Sequence, residues 1–176
     1  VNPFIDLYEN VLLPSESWGN YNLVGISIVG ISQILPGLTL ARMLKEKYPH
    51  LHITLGGPIF SVNSKQLMGH PEFFQEFCDS IVTFEGEEPL HRLLTTLKNG
   101  STLKNVPNLL FYENGKIEYN KERVELRFEE MPPPTFDGLP MNLYLSPYPI
   151  LPVLQSRGCY WGKCTFCTHS FIYGHR

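Results

Sequence analysis

Hydrophobic and polar positions along the first hundred residues fall into blocks that alternate between the period of a strand and the period of a helix. Pro3 to Leu7 is a short apolar run containing Asp6 and reads as a first strand candidate. The polar stretch Pro14 to Asn22 reads as a loop. Leu23-Val24-Gly25-Ile26-Ser27-Ile28-Val29 is rich in β-branched residues, the pattern of a strand buried on both faces. Pro36 opens a helix in which Leu38, Leu40, Ala41, Leu44 and Tyr48 recur at helical spacing among Arg42, Lys45, Glu46 and Lys47. Leu51 to Leu55 predicts the next strand, closed by Gly56-Gly57-Pro58. A second amphipathic helix is expected between Ser64 and Phe77, with Cys78 as a small core residue beneath Pro71 to Phe77. Ile81 to Phe84 predicts a short strand, and Glu85-Gly86-Glu87-Glu88-Pro89 starts a helix running to Lys98. This alternation predicts an α/β fold, an open parallel sheet with helices on both faces.

After Gly100 the pattern changes. Leu109-Leu110-Phe111-Tyr112 and Ile117-Glu118-Tyr119 flank Asn114-Gly115, a hairpin signal because both turn residues tolerate positive φ. The segment from Met131-Pro132-Pro133-Pro134 through Pro140 is incompatible with a helix and reads as a linker. A last strand is expected over Ile150 to Gln155, running straight into a cysteine loop. The expected organisation is an α/β domain over 1–100, a hairpin extension over 101–130, a linker over 131–148 and a further domain beginning at 149–176.

Composition narrows the class. The chain has 176 residues, 43% of them hydrophobic, enough for one sizeable core or for one domain and the start of another. Aromatics at 12% argue against global disorder. Fourteen basic and seventeen acidic residues leave a net charge of −3, which indicates neither nucleic acid nor an anionic membrane as partner. No apolar run approaches the ~20 residues of a membrane span. The chain opens at Val1 without a basic segment, a cleavage-like site or an initiator Met, so no signal peptide is expected and a piece of a longer protein is. Cys78 stands alone, whereas Cys159, Cys164 and Cys167 crowd into one loop. A secreted disulfide scaffold would spread an even set through the chain, so a metal centre in a reducing, cytoplasmic compartment is expected.

The loop reads Arg157-Gly158-Cys159-Tyr160-Trp161-Gly162-Lys163-Cys164-Thr165-Phe166-Cys167. Three thiolates are soft ligands suited to three irons of a cubane cluster. A fourth iron left open could bind a substrate, by the logic that separates catalytic from structural zinc sites. Gly158 and Gly162 let the backbone wrap a compact inorganic core. Three cysteines would also serve a zinc knuckle completed by His169 or His175.

Ser156-Arg157-Gly158-Cys159 and Cys164-Thr165-Phe166-Cys167, placed after a strand, resemble the first barrel strand and cluster loop of radical S-adenosylmethionine (SAM) enzymes. The resemblance implies a 4Fe–4S cluster on Cys159, Cys164 and Cys167, with its fourth iron chelating SAM and Phe166 near the SAM adenine. Reduction would then cleave SAM to methionine and a 5′-deoxyadenosyl radical. The first spacing here is C-x4-C, one residue longer than the commonest form of the family, and the extra residue falls within Tyr160 to Lys163.

In an open α/β sheet, ligands take the loops at the carboxyl ends of the strands. Three loops qualify: Gly30-Ile31-Ser32-Gln33, Gly56-Gly57-Pro58 and Glu85-Gly86-Glu87. On the residues alone these are equally tight strand-to-helix turns. Val24-Gly25-Ile26-Ser27, Leu55-Gly56-Gly57-Pro58 and Glu85-Gly86-Glu87-Glu88 resemble the flavodoxin-like (Rossmann-like) cobalamin-binding domain that precedes many radical SAM barrels. The hairpin, the Pro-rich linker and Tyr144-Leu145-Ser146-Pro147 fall where that family places them. The likeness is to the group labelled anaerobic magnesium-protoporphyrin ester cyclase-like. It implies Ser27, Gly30, Ser32 and Gln33 along the corrin of cobalamin, and Gly56, Gly57, Glu85, Gly86 and Glu87 along its nucleotide tail. No Asp-x-His-x-x-Gly motif offers a lower axial histidine, and Phe84 stands where the family often has Gly. The family also has an upstream strand at the sheet centre, a place left here to Val1 to Ile5, to an upstream segment or to a partner chain.

The resemblance therefore implies the N-terminal part of a radical SAM enzyme performing methylation, cyclisation or similar C–H chemistry, with no catalytic side chain among these residues. It implies a small-molecule or peptide substrate and an electron donor such as flavodoxin or ferredoxin. The competing expectations are a corrinoid-binding module with a structural metal loop, and a Rossmann-like interaction domain without a cofactor.

Overall fold

The computed structural model describes residues 2–125 and 127–174, and the chain forms two compact units, 1–125 and 126–176. The first unit is built on a five-stranded sheet whose order follows the chain. Strands β1 (Leu23–Ser27), β2 (His52–Gly56) and β3 (Ser80–Val82) are parallel, and β4 (Leu109–Glu113) and β5 (Lys116–Tyr119) continue the sheet antiparallel. The α/β fold is as the alternation predicts, and the Asn-Gly hairpin extends the same sheet. Asn114 and Gly115 both sit at positive φ, 52° and 81°, as the turn requires.

Parallel strands need crossovers; helices supply them on one face, and a further helix covers the other. Helix α3 (Ile34–Lys47) joins β1 to β2. Helices α4 (Pro58–Val62), α5 (Ser64–Leu67) and α6 (Pro71–Phe77) join β2 to β3. Helix α7 (Glu87–Lys98) leads from β3 towards the hairpin. Alternation along the strands sorts the core into two layers. Ile53, Leu55, Ile81 and Leu110 pack with Ala41 and Leu44 of α3 and Phe74 of α6. Val82, Leu109 and Phe111 pack with Leu93 of α7 and with Val106. Cys78 is buried in the first layer, as expected of a core residue, and burial pushes its thiol pKa far up.

Four expectations need correction. Pro3 to Leu7 is helical, not extended: α1 (Phe4–Leu7) continues through a π-helical turn (Tyr8–Leu12) into α2 (Leu13–Ser15). The side-chain oxygen of Asn2 accepts from the Phe4 amide and starts the turn, and Pro14, which has no N–H to give, follows the widened π turn. The helix is anchored by Leu13 in the core and by the Trp18 indole, which donates to the Leu13 carbonyl at 3.1 Å. Phe4 and Ile5 therefore give no central strand, and Val1 lies outside the described residues. Second, β1 is an edge strand: β2 alone pairs with it among the described residues, and Gly25 and Ser27 are exposed. Third, Gly69 and Pro71 break the single helix expected over Ser64 to Phe77. Fourth, Ile150 to Gln155 joins no sheet, because the unit that contains it offers no strand among its described residues to pair with. That unit contains two 3₁₀ turns (Phe128–Glu130 and Met141–Leu143) and helix α8 (His169–Tyr173). No helix among the described residues is long and apolar enough to cross a membrane.

A chain of polar groups crosses the amino ends of β2 and β3. Ser80 donates its hydroxyl proton to Thr54 Oγ1 at 2.9 Å, so it accepts from His52 Nε2 at 2.8 Å. Asp79 accepts from the Ile53 amide at 2.8 Å and pairs with Lys45. Burial lowers the His52 pKa, Lys45 lowers it further, and Asp79 acts in the opposite direction. The unfolded imidazole binds a proton near its ordinary 6.5, whereas the folded one resists it. Its contribution is thus complete above that value and is lost as pH falls below it towards the folded pKa. Stability measured by urea unfolding between about pH 7.5 and about pH 5.5 is expected to drop more steeply in the natural chain than in His52→Gln. Equal slopes would contradict this.

Candidate functional site

The three loops singled out in the sequence all lie at the carboxyl ends of the parallel strands, and hydrogen bonds tie them together. After β1, the Ile28 amide donates to the Gly56 carbonyl at 2.8 Å and its side chain is buried. The next two amides, of Val29 and Gly30, both donate to Gln33 Oε1 at 2.8 and 3.1 Å. Gln33 also returns its own amide to the Gly30 carbonyl at 3.0 Å. The Gln33 side chain therefore closes the loop and opens α3. Ser27 and Ser32 are exposed and Gly30 is half-buried.

After β2, Gly57 has φ 112°, and a Cβ there would lie 2.2 Å from the Ile28 carbonyl oxygen. The glycine is demanded by one backbone crossing another. Pro58 then starts α4, with the Phe60 amide donating to the Gly57 carbonyl at 3.2 Å. After β3, Thr83 donates both its amide (2.9 Å) and its hydroxyl (2.8 Å) to the Asn108 carbonyl. Phe84 takes φ 60°, and its amide donates to the buried Ser61 Oγ at 2.7 Å. Glu85 is 4% exposed, Gly86 precedes α7, and Glu87 lies exposed in its first turn, where a carboxylate suits the helix dipole.

These residues fit a ligand laid over the strand ends in part. Ser27 and Ser32 are open to solvent and Gly30 is half-buried, whereas Gln33 and Gly57 already serve the fold. Sequence reasoning did not pick out Ser61, Asn108 or Arg123. Asn108 has φ 54°, and its buried side-chain oxygen has no hydrogen-bond partner. The Arg123 guanidinium lies over the Phe84 ring, 4.4 Å from its centroid. The one available signal was Asn108 itself, a residue type that tolerates positive φ, directly before a strand.

In the second unit Cys159, Cys164 and Cys167 are free thiols, the first half-buried and the others exposed. The Gly162 amide donates to Cys159 Sγ and the His169 amide to Cys167 Sγ, each at 3.4 Å. The Cys167 amide closes a turn on the Cys164 carbonyl at 3.3 Å. Gly162, inside the long first gap, has φ 58°, so the gap is taken up by a bulged, left-handed turn. His169 directs Nε2 to the Gly158 carbonyl at 3.2 Å, and the Cys159 amide donates to the Gly174 carbonyl at 3.3 Å. His175 lies outside the described residues. Phe166 is 89% exposed. The donor set suits an iron–sulfur cluster, with soft sulfurs and backbone amides already directed at two of them. The thiols are not drawn together: among the described residues no three His, Cys, Asp or Glu side chains are grouped closely enough to hold a metal ion.

No protein-family model matches the chain. Over 160 residues it is 31% identical to an uncharacterized methyltransferase of Pyrococcus horikoshii. That match takes in 88% of this chain and 33% of the relative, so the chain spans about a third of the relative's length. The fold is also similar to the solved structure of the radical SAM methyltransferase TsrM from Kitasatospora setae, with cobalamin and a [4Fe-4S] cluster bound. The TM-score is 0.49 at 18% identity, over 72% of this chain and 24% of that one, a level that supports no functional statement.

The crossing of Ile28 and Gly57 can be tested directly. Gly57→Ala is expected to lower unfolding stability by at least about 2 kcal/mol, through both the positive φ and the clash with Ile28. A urea midpoint unchanged from the natural chain would contradict the crossing.

Proposed function

We propose that this chain is the cobalamin-type domain and the cluster loop of a radical SAM methyltransferase. The observation that carries the reading is the cysteine loop: three free thiols within nine residues, two of them receiving backbone N–H groups, beside an exposed aromatic ring. The name of the Pyrococcus relative favours methyl transfer over cyclisation.

On this reading Cys159, Cys164 and Cys167 would hold a 4Fe–4S cluster, which when bound supplies the reducing electron that splits SAM. Phe166 would stack against the adenine of SAM, its ring being free of neighbouring packing. The amides of Gly162 and His169 would stabilise negative charge on the sulfurs they reach. Ser27, Gly30 and Ser32 would border the corrin, and Gly56, Glu85, Gly86 and Glu87 the nucleotide tail, with Gln33 and Gly57 shaping the loops from behind. The substrate would be a small molecule or a peptide, and a flavodoxin or ferredoxin would deliver the electron.

Anaerobic reconstitution with iron and sulfide is expected to load about four irons per chain and give the broad visible absorbance of a thiolate-bound cluster. Cys164→Ala should lose most of both. A colourless chain that binds a single zinc would overturn the cluster reading. Retention of hydroxocobalamin through gel filtration tests the corrinoid part, and a colourless protein peak would leave that domain a Rossmann-like module without a cofactor.

A further inference from the structure

Helix α8 (His169–Tyr173) begins just after the last of the clustered cysteines. It grips a single peptide group, the one that joins Gly158 to Cys159. The oxygen of that group lies 3.2 Å from His169 Nε2, and its N–H donates to the Gly174 carbonyl at 3.3 Å. A carbonyl only accepts, so His169 Nε2 carries a proton. Gly158 has φ 95°, and Gly174, which ends α8, has φ 77°. A peptide group is planar, so holding both its C=O and its N–H fixes its orientation and the direction in which the chain enters Cys159.

The same histidine reaches the third cysteine. Its amide donates to Cys167 Sγ at 3.4 Å, and the Cys167 amide donates in turn to the Cys164 carbonyl at 3.3 Å. Its imidazole lies beside the Tyr173 ring, one helical turn further on, with the centroids 4.8 Å apart. His169 thus holds the backbone ahead of the first cysteine through its side chain and the sulfur of the last through its amide. The bond to Gly158 closes a loop across a sequence separation of 11 residues, and that loop contains all three clustered cysteines. Closing a loop costs chain entropy, and a loop closed beforehand lowers that cost for whatever binds its thiols. A nitrogen that donates its proton has no lone pair for a metal, so through Nε2 His169 supports the loop and does not ligate.

We propose that His169 is a positioning residue of the cysteine loop, which clasps the Gly158–Cys159 peptide to α8 and so sets the first cysteine against the third. The clasp stands on the geometry of the second unit; that the group it readies the loop for is an iron–sulfur cluster rests on the function proposed above.

The test compares the full natural chain with His169→Ala and His169→Gln, the second of which keeps an N–H donor near the place of Nε2. In the reduced, metal-free chain, hydrogen exchange at the Cys159 amide is expected to be about fivefold faster in His169→Ala, the scale of one lost hydrogen bond. After anaerobic loading with iron and sulfide, His169→Ala is expected to lose iron to a ferrous chelator at least about tenfold faster than the natural chain, the usual scale for a partner that orients metal ligands. His169→Gln should stay close to the natural chain in both measurements. Unchanged exchange at Cys159 in His169→Ala would overturn the clasp. Faster exchange with equal iron retention would overturn its role in positioning the ligands. Equal losses in His169→Gln and His169→Ala would overturn the donated bond as the cause and leave only packing against Tyr173. A natural chain that loads no iron would overturn the proposed function, and the exchange at Cys159 would still decide the clasp.

Discussion

The carboxyl end of the sheet depends on one close approach between two backbones. Ile28 gives its amide to the Gly56 carbonyl and presses its own carbonyl against Gly57, where no Cβ fits. That contact fixes where the loop after β1 turns, and Gln33 then closes it by accepting from two successive amides. It also sets the direction of Pro58 into α4, from which Ser61 reaches the Phe84 amide after β3. Three loops from three strands are therefore locked by backbone amides, which donate to the Gly56 carbonyl and to the side-chain oxygens of Gln33 and Ser61. Ser27, Ser32 and Glu87 remain exposed around the locked frame.

The two ends of the parallel strands differ in chemistry. At the amino end, buried polar groups satisfy each other: His52 with Ser80, Ser80 with Thr54, and Asp79 with Lys45 and the Ile53 amide. Such a closed network stabilises the fold and offers little to a ligand. At the carboxyl end, side chains of Gln33, Ser61 and Thr83 bond backbone groups, a bulky residue sits at positive φ, and the buried Asn108 side-chain oxygen has no partner. Local rules broken together at one end of a sheet, and kept at the other, are the pattern on which the proposed binding reading of the first unit rests.

Much of this was legible in the residues. The alternation of β-branched runs with amphipathic stretches placed β1, β2, β3, α3 and α7, because periodicity reports burial directly. Asn114-Gly115 placed the hairpin through local turn chemistry. Pro3 to Leu7 was misread because five apolar residues satisfy either period, and what decided between them was Asn2 bonding the Phe4 amide and Leu13 reaching the core. Ile150 to Gln155 was read as a strand from its composition, yet a strand exists only against a partner. At the carboxyl ends of the strands, Gly57 was visible as a glycine, but its cause, the Ile28 carbonyl, lies 29 residues away and could not be read locally. The stack of Arg123 on Phe84 is non-local in the same way. In the cysteine loop the ligand types were explicit, and the bulge at Gly162 accounts for the long first gap.

The central claim is that three thiolates leave one iron of a cluster open to SAM. The most direct measurement is the electron paramagnetic resonance spectrum of the iron-loaded, chemically reduced chain before and after SAM is added. The account predicts a cluster signal whose shape changes on adding SAM and is lost in Cys159→Ala. A signal indifferent to SAM, or no paramagnetic cluster at all, would contradict it.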